Sequence, residues 1–130
     1  MFTNKRKIII YIAGKYSDKT PEKVTANILL AKKCALDIWR MGYTAICPHL
    51  NTEHFDDELD LVWKDYLEGD IEIVSRCDGV FLLPNWKYSK GAVVENEVAK
   101  RLHKPTFKNL EELENYDWDY RIWTNKHEVN

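Results

Sequence analysis

The chain is poor in the residues that staple or cage small proteins. Its three cysteines, Cys34, Cys47 and Cys77, are odd in number, far apart and in no CxxC pair, so neither a disulfide framework nor a structural zinc site is expected. Basic excess is missing too. Nineteen Lys and Arg stand against 21 Asp and Glu, a formal net charge of -2, which argues against a nucleic-acid polymer as partner because phosphate-backbone binding draws on surplus positive charge. No apolar run reaches membrane-spanning length. The run "IIIYIA" after Lys5, Arg6 and Lys7 is too short for a signal sequence and has no small-residue cleavage site directly behind it. The reducing cytoplasm is the expected compartment, with no membrane partner. The GxGxxG and GxxxxGK[ST] patterns are absent, so dinucleotide redox chemistry and ATP hydrolysis have no support.

What is present is an ordinary core composition. A chain of 130 residues that is 45% hydrophobic and 31% charged suits one compact domain spanning residues 1–130. Strand and helix patterns alternate along it. Ile8 to Ala13 is a continuous, β-branched run ending at Gly14, the mark of a buried strand in a parallel sheet. Thr20 and Pro21 read as an N-cap and first helical residue. Val24, Ile28, Leu29, Ala31, Ala35, Ile38 and Trp39 then give an apolar face, and Gly42 ends the helix near Met41. "YTAICP" is a second strand, residues 59 to 76 a second helix with Gly69 as a weak point, and "GVFLLP" a third strand. Gly91 to His103 forms a third helix and "KPTFK" a short fourth strand. The order predicts an α/β, Rossmann-like (flavodoxin-like) parallel sheet of about four to five strands with helices on both faces. Ligands of such sheets sit beyond the carboxyl ends of the strands, so the loops after Ala13, Pro48 and Leu83 should converge on any site.

Two carboxylates stand out. Residues 91, 94, 95, 98 and 102 share a helical face, which places Glu95 on the apolar stripe with Gly91, Val94, Val98 and Leu102. Glu97 pairs with Arg101 on the solvent side. An inward carboxylate near a helix N-terminus is either a structural cap or a functional group. On the preceding helix Asp65, Glu68, Glu72 and Arg76 form a polar face, whereas Asp70 falls with Trp63, Tyr66, Leu67, Ile71 and Val74. Burying two carboxylates on adjacent helices costs free energy unless something uses them. Tyr11, near the carboxyl end of the first strand, adds a polar group that in isolation would be simple packing. Paired carboxylates suit chemistry at an anomeric carbon, one attacking and the other protonating the leaving group.

"IYIAGK", "GDIEIVSRCDGVFLL" and "SKGAVVENEVA", in this order, resemble the nucleoside 2-deoxyribosyltransferase superfamily over most of residues 8 to 107. That superfamily includes 2'-deoxynucleoside 5'-monophosphate N-glycosidases and short relatives in phage and bacterial genomes. The resemblance implies that Glu95 is the nucleophile that attacks C1', that Tyr11 orients it and that Asp70 binds the base region and assists proton transfer. It further implies a homodimer or larger homo-oligomer and no metal or organic cofactor. Free-nucleoside transferases of this kind carry an aspartate at the position of Ser89, whereas the nucleotide hydrolases carry a serine beside the 5'-phosphate. Ser89 therefore points to a nucleotide, with the amides of Gly91 and Ala92 and the side chains of Lys15, Ser17 and Lys87 as further donors. The expected activity is an N-glycosidase acting on a nucleoside 5'-monophosphate. A free-nucleoside transferase and a non-catalytic nucleotide sensor are the alternatives.

Four features fit less neatly. Where the superfamily often reads "ELG" after the catalytic glutamate, this chain reads "ENE". Trp86 stands where an aromatic could stack on a base, with loop packing as its plainer role. Cys47, His49 and His54 lack a fourth ligand and read better as a loop bordering the pocket than as a metal site. In the aromatic tail, Tyr116, Trp118 and Tyr120 alternate as on an edge strand, suited to self-packing or a subunit contact.

Overall fold

The computed structural model describes residues 7–51 and 62–118. At its centre lies β1 (Ile9–Ala13), whose residues from Ile10 to Ala13 are buried and point to both faces, as the unbroken apolar run requires. A parallel four-stranded sheet forms around it in the order β2 (Thr44–Ile46), β1, β3 (Gly79–Leu82), β4 (Thr106–Phe107). The chain passes from β1 outward to β2, then back across β1 to β3. This reversal opens a crevice at the carboxyl ends of β1 and β3.

The helices follow from local signals. Helix α1 (Pro21–Arg40) starts where the Thr20 side chain accepts from the Lys23 N–H, with proline at its first position. It ends at Met41, and Gly42 takes a φ of +95° that other residues rarely adopt. Its buried residues are Ile28, Ala31, Ala35 and Ile38, while Leu29 and Trp39 of the predicted stripe face solvent. A single turn, α2 (Pro48–Asn51), follows β2. Helix α3 (Trp63–Arg76) begins where the Asp65 carboxylate accepts from the Val62 N–H at 3.0 Å. The expected start of this helix at residue 59 lies outside the described residues. Its predicted apolar face is only partly sunk: Val74 is buried and Trp63 is exposed.

Helix α4 (Lys90–Arg101) is capped by Ser89, whose Oγ accepts from the Ala92 N–H. Its buried face comprises Ala92, Glu95, Asn96 and Ala99 rather than the predicted set, and Leu102 is exposed. The difference is a small rotation. Alanines allow the helix backbone to lie close on the sheet, so the two small residues take the contact. Glu95 stays inward and Glu97 faces solvent, so the "ENE" departure disturbs no packing. The helix ends short of His103, which turns the chain with a φ of 57°.

The sheet divides the core. On one face Ile8, Ile10 and Ile12 pack against α1 together with Phe81, Phe107 and Leu113 of α5 (Leu110–Glu114). Tyr116 and Trp118 join this cluster rather than forming an edge strand. Trp118 lies 4.5 Å from the Tyr116 ring, and its Nε1–H donates to the Tyr43 hydroxyl at 2.9 Å. Burying these rings satisfies the indole donor as well as the apolar surface, which explains why the alternating pattern yields no strand. Tyr120 lies outside the described residues. On the other face Tyr11 and Ala13 meet Val74 of α3 and Ala92 and Ala99 of α4.

Candidate active site

The crevice at the sheet's carboxyl edge holds a cavity of about 460 Å³. The three predicted loops do converge on it: Gly14, Lys15 and Ser17 after β1, Pro48 and His49 after β2, and Ser89 and Gly91 after β3. Glu95 and Asp70 line the same space from α4 and α3.

Tyr11 lies behind Glu95. Its hydroxyl donates to Glu95 Oε2 at 2.6 Å, and both side chains are buried. A charge-assisted hydrogen bond of this length fixes one carboxylate oxygen and leaves the other for a ligand. Burial pushes the Glu95 carboxyl up to about 8; the Tyr11 bond opposes that rise and the Asp70 charge adds to it. Burial also raises Asp70, to about 6. The Tyr11 phenol is raised by burial and by both carboxylates, so it remains a donor at any working pH.

The β1 loop is held at several points. Gly14 is required for close approach: a Cβ there would lie 2.4 Å from Leu83 Cδ1 and 2.8 Å from its Cβ. Asn85 Oδ1 accepts from the Lys15 N–H at 2.9 Å, and the Asn85 amide reaches Asn27, which donates to the Tyr16 carbonyl. His49, buried, lies with Nε2 2.9 Å from the Lys15 carbonyl. That partner requires the proton on Nε2, and burial lowers the ring's pKa, which favours the neutral form. Lys15 is paired with Asp18 at 3.3 Å, so its charge is shared at rest.

Of the two roles expected for Trp86, the structure shows packing and not a place at the cavity. Trp86, in a 3-10 turn (Trp86–Tyr88), packs against the core cluster on the α3 and α4 side, with Lys87 Nζ 5.9 Å from its ring, and neither residue lines the cavity. Because the turn places Trp86 against Tyr11's neighbours, the ring is consumed by packing. Trp63 and Tyr88, both exposed, border the cavity instead. The Ala92 N–H is likewise not available to a ligand, being donated to Ser89 Oγ at 3.1 Å. His49, Asn85, Trp63 and Tyr88 were not singled out as binding residues in the sequence. His49 and Asn85 had a signal in lying just past strand ends, whereas Trp63 read as part of an apolar helix face. Cys47 and His49 sit together after β2, and His54 lies outside the described residues. Among the described residues no three His, Cys, Asp or Glu side chains are grouped to hold a metal.

Sheet order, crevice and flanking helices define an α/β, Rossmann-like (flavodoxin-like) fold, similar to that of a nucleoside 2-deoxyribosyltransferase. The 2-deoxyribosyltransferase of the psychrotolerant bacterium Bacillus psychrosaccharolyticus superimposes with a TM-score of 0.61 at 17% identity, over 86% of this chain and 94% of that one. The chain belongs to the family described as Domain of unknown function (DUF4406), whose model matches residues 8–107. No curated protein sequence matches it. No helix among the described residues is long and apolar enough to cross a membrane.

Proposed function

We propose that the protein is an enzyme that cleaves the N-glycosidic bond of a nucleoside 5'-monophosphate. The observation that carries this reading is the buried Tyr11–Glu95 contact of 2.6 Å at the wall of a cavity that also holds Asp70. A free Glu95 oxygen attacks C1' of the sugar as the bond to the base nitrogen breaks, and the bonding pair leaves with the base. Asp70 in its acid form gives that nitrogen a proton. Water then attacks C1' of the glycosyl ester, its proton passes to the Asp70 carboxylate, and Glu95 leaves as carboxylate. Tyr11 stabilises the anion at the start and the end of the cycle.

Burial raises both carboxyls, and Glu95 more than Asp70, so between about 6 and about 8 the pair holds one proton that rests mostly on Glu95 and exchanges to Asp70 in a minor form. The reaction draws on that minor form, with Glu95 ionised and Asp70 protonated, whose population follows that of the singly protonated pair. Base release should accordingly follow a bell-shaped kcat/KM profile with limbs near the two values of about 6 and about 8.

A 5'-phosphate is favoured by Ser89, whose hydroxyl proton is free to donate because its oxygen accepts from the helix. An aspartate at that place would repel a phosphate. The reading carries with it a single domain over the full chain, a cytoplasmic location, no cofactor in the reaction and a homo-oligomer, whose mass light scattering would report. The decisive test is chromatography of free base from a panel of nucleosides and nucleoside 5'-monophosphates with wild type and Glu95→Ala. Release that depends on the phosphate and disappears in the variant is expected. Release indifferent to the phosphate would restore the free-nucleoside transferase, and no release with retained nucleotide binding would leave a sensor.

A further inference from the structure

Gly91 is the second residue of α4. A methyl group on its Cα would lie 3.8 Å from Leu67 Cδ1, 3.8 Å from Ser89 Oγ and 3.9 Å from Trp63 Nε1. These are ordinary contact distances, so the position is a gap in the cavity wall that a side chain would fill. Two of the three flanking atoms carry a donatable proton. The Ser89 oxygen accepts from Ala92, which turns its own O–H to other partners. The Trp63 indole is a donor only, and Trp63 takes no hydrogen-bond partner among the described residues.

The core does not explain where Trp63 stands. It is 56% exposed, yet its ring borders the cavity at the first residue of α3. Its N–H edge faces the Gly91 gap, which is the wrong presentation for stacking on a base and the right one for donating to an acceptor. Polarity along the cavity agrees. Glu95 is buried and Asp70 half-buried, whereas Trp63 and Lys90 are exposed at the opening. Carboxylates thus occupy the closed end and donors the open one.

We propose that Trp63 is a substrate-binding residue that sets the preference for a phosphorylated nucleoside, its indole N–H and the Ser89 hydroxyl holding the anionic 5' group between them across the open Cα of Gly91. This rests on the nucleotide reading given above. Phosphate oxygens accept such bonds strongly because they are charged, and the missing Cβ lets them approach the backbone.

The test is titration by 15N NMR of Glu95→Gln protein, chosen to slow turnover, with 2'-deoxynucleoside 5'-monophosphates and with the matching nucleosides. Five tryptophans give resolvable indole signals, and the one missing from Trp63→Phe identifies Trp63. Its N–H signal should move with monophosphates and not with nucleosides. Trp63→Phe should weaken monophosphate binding relative to nucleoside binding roughly tenfold. Gly91→Ala should have the same effect while melting no lower than its parent, since alanine is the better helix residue and meets no clash. An equal response to both ligand classes, or an unchanged binding ratio in both variants, overturns the role of Trp63 and leaves the nucleotide reading intact. If neither class binds, both fall together.

Discussion

The two faces of the sheet are built from the same strands and each carries a buried cluster, yet they differ in kind. On the α1 face, Ile10 and Ile12 meet Ala31, Ala35 and Ile38 in contacts that need only shape. On the α3 and α4 face, the next residue along β1 is Tyr11, and α4 sets Glu95 and Asn96 among its buried residues. A face that tolerates a buried carboxyl at a pKa of about 8 retains a group that folding alone would replace, because an apolar residue would be cheaper there. One side of β1 is packed by apolar side chains, and the other adds the buried Tyr11–Glu95 pair on which the proposed chemistry rests.

Substitutions can break that division, starting with the largest effect. Glu95→Gln, which keeps size and the bond from Tyr11, should lower base release by roughly 10³-fold or more while the protein remains folded by circular dichroism. Residual activity within tenfold of wild type would remove Glu95 from the chemistry. On the opposite face, Ile12→Ala should cost about 2–5 kcal/mol in urea unfolding, and its pH dependence of stability should match that of wild type.

The third expectation concerns pH. Glu95 holds a proton in the folded protein up to about 8, whereas its ordinary value is 4.5. Between those values the unfolded chain binds fewer protons than the native one, so stability falls as pH rises through that window. Glu95→Gln does not titrate. Its stability advantage over wild type should therefore grow between pH 5 and pH 9, by on the order of 2–4 kcal/mol. Parallel stability curves for the two proteins would show that Glu95 is not held protonated by burial.

The smallest expected effect sharpens the role of Tyr11. Tyr11→Phe removes the donor that opposes the rise in the Glu95 pKa. The kcat/KM limb assigned to Glu95 should move to higher pH, with a loss of roughly tenfold at neutral pH. Asp70→Asn removes a neighbouring negative charge and should move the same limb to lower pH. A Tyr11→Phe profile superimposable on wild type would reduce Tyr11 to packing.

Particular residues show what could be read before folding was known. Thr20, Pro21 and Gly42 marked the ends of α1 because caps and turns act on the nearest few residues. The inward aim of Glu95 was legible because a helical period of 3.6 residues separates it from Glu97 by about half a turn. The same period misjudged which neighbours share the contact, since Ala92 and Ala99 were chosen by how closely α4 lies on the sheet. Trp86 took the plainer of its two expected roles, while Trp63, read as part of an apolar helix face, came to border the cavity. Both are bulky apolar rings beside a loop, and only the surrounding elements decide which ring is used as core and which is left at the cavity.

By itself the amino-acid order determined the alternation of strands and helices, the parallel sheet and the loops that meet at its carboxyl edge, because each rests on local periodicity and turn chemistry. The tertiary structure alone decided that the Tyr11 hydroxyl meets Glu95 from 84 residues away and that Trp63 rather than Trp86 borders the cavity. Those are contacts between elements, and their distances depend on how closely the helices settle on the sheet, a property no single segment carries.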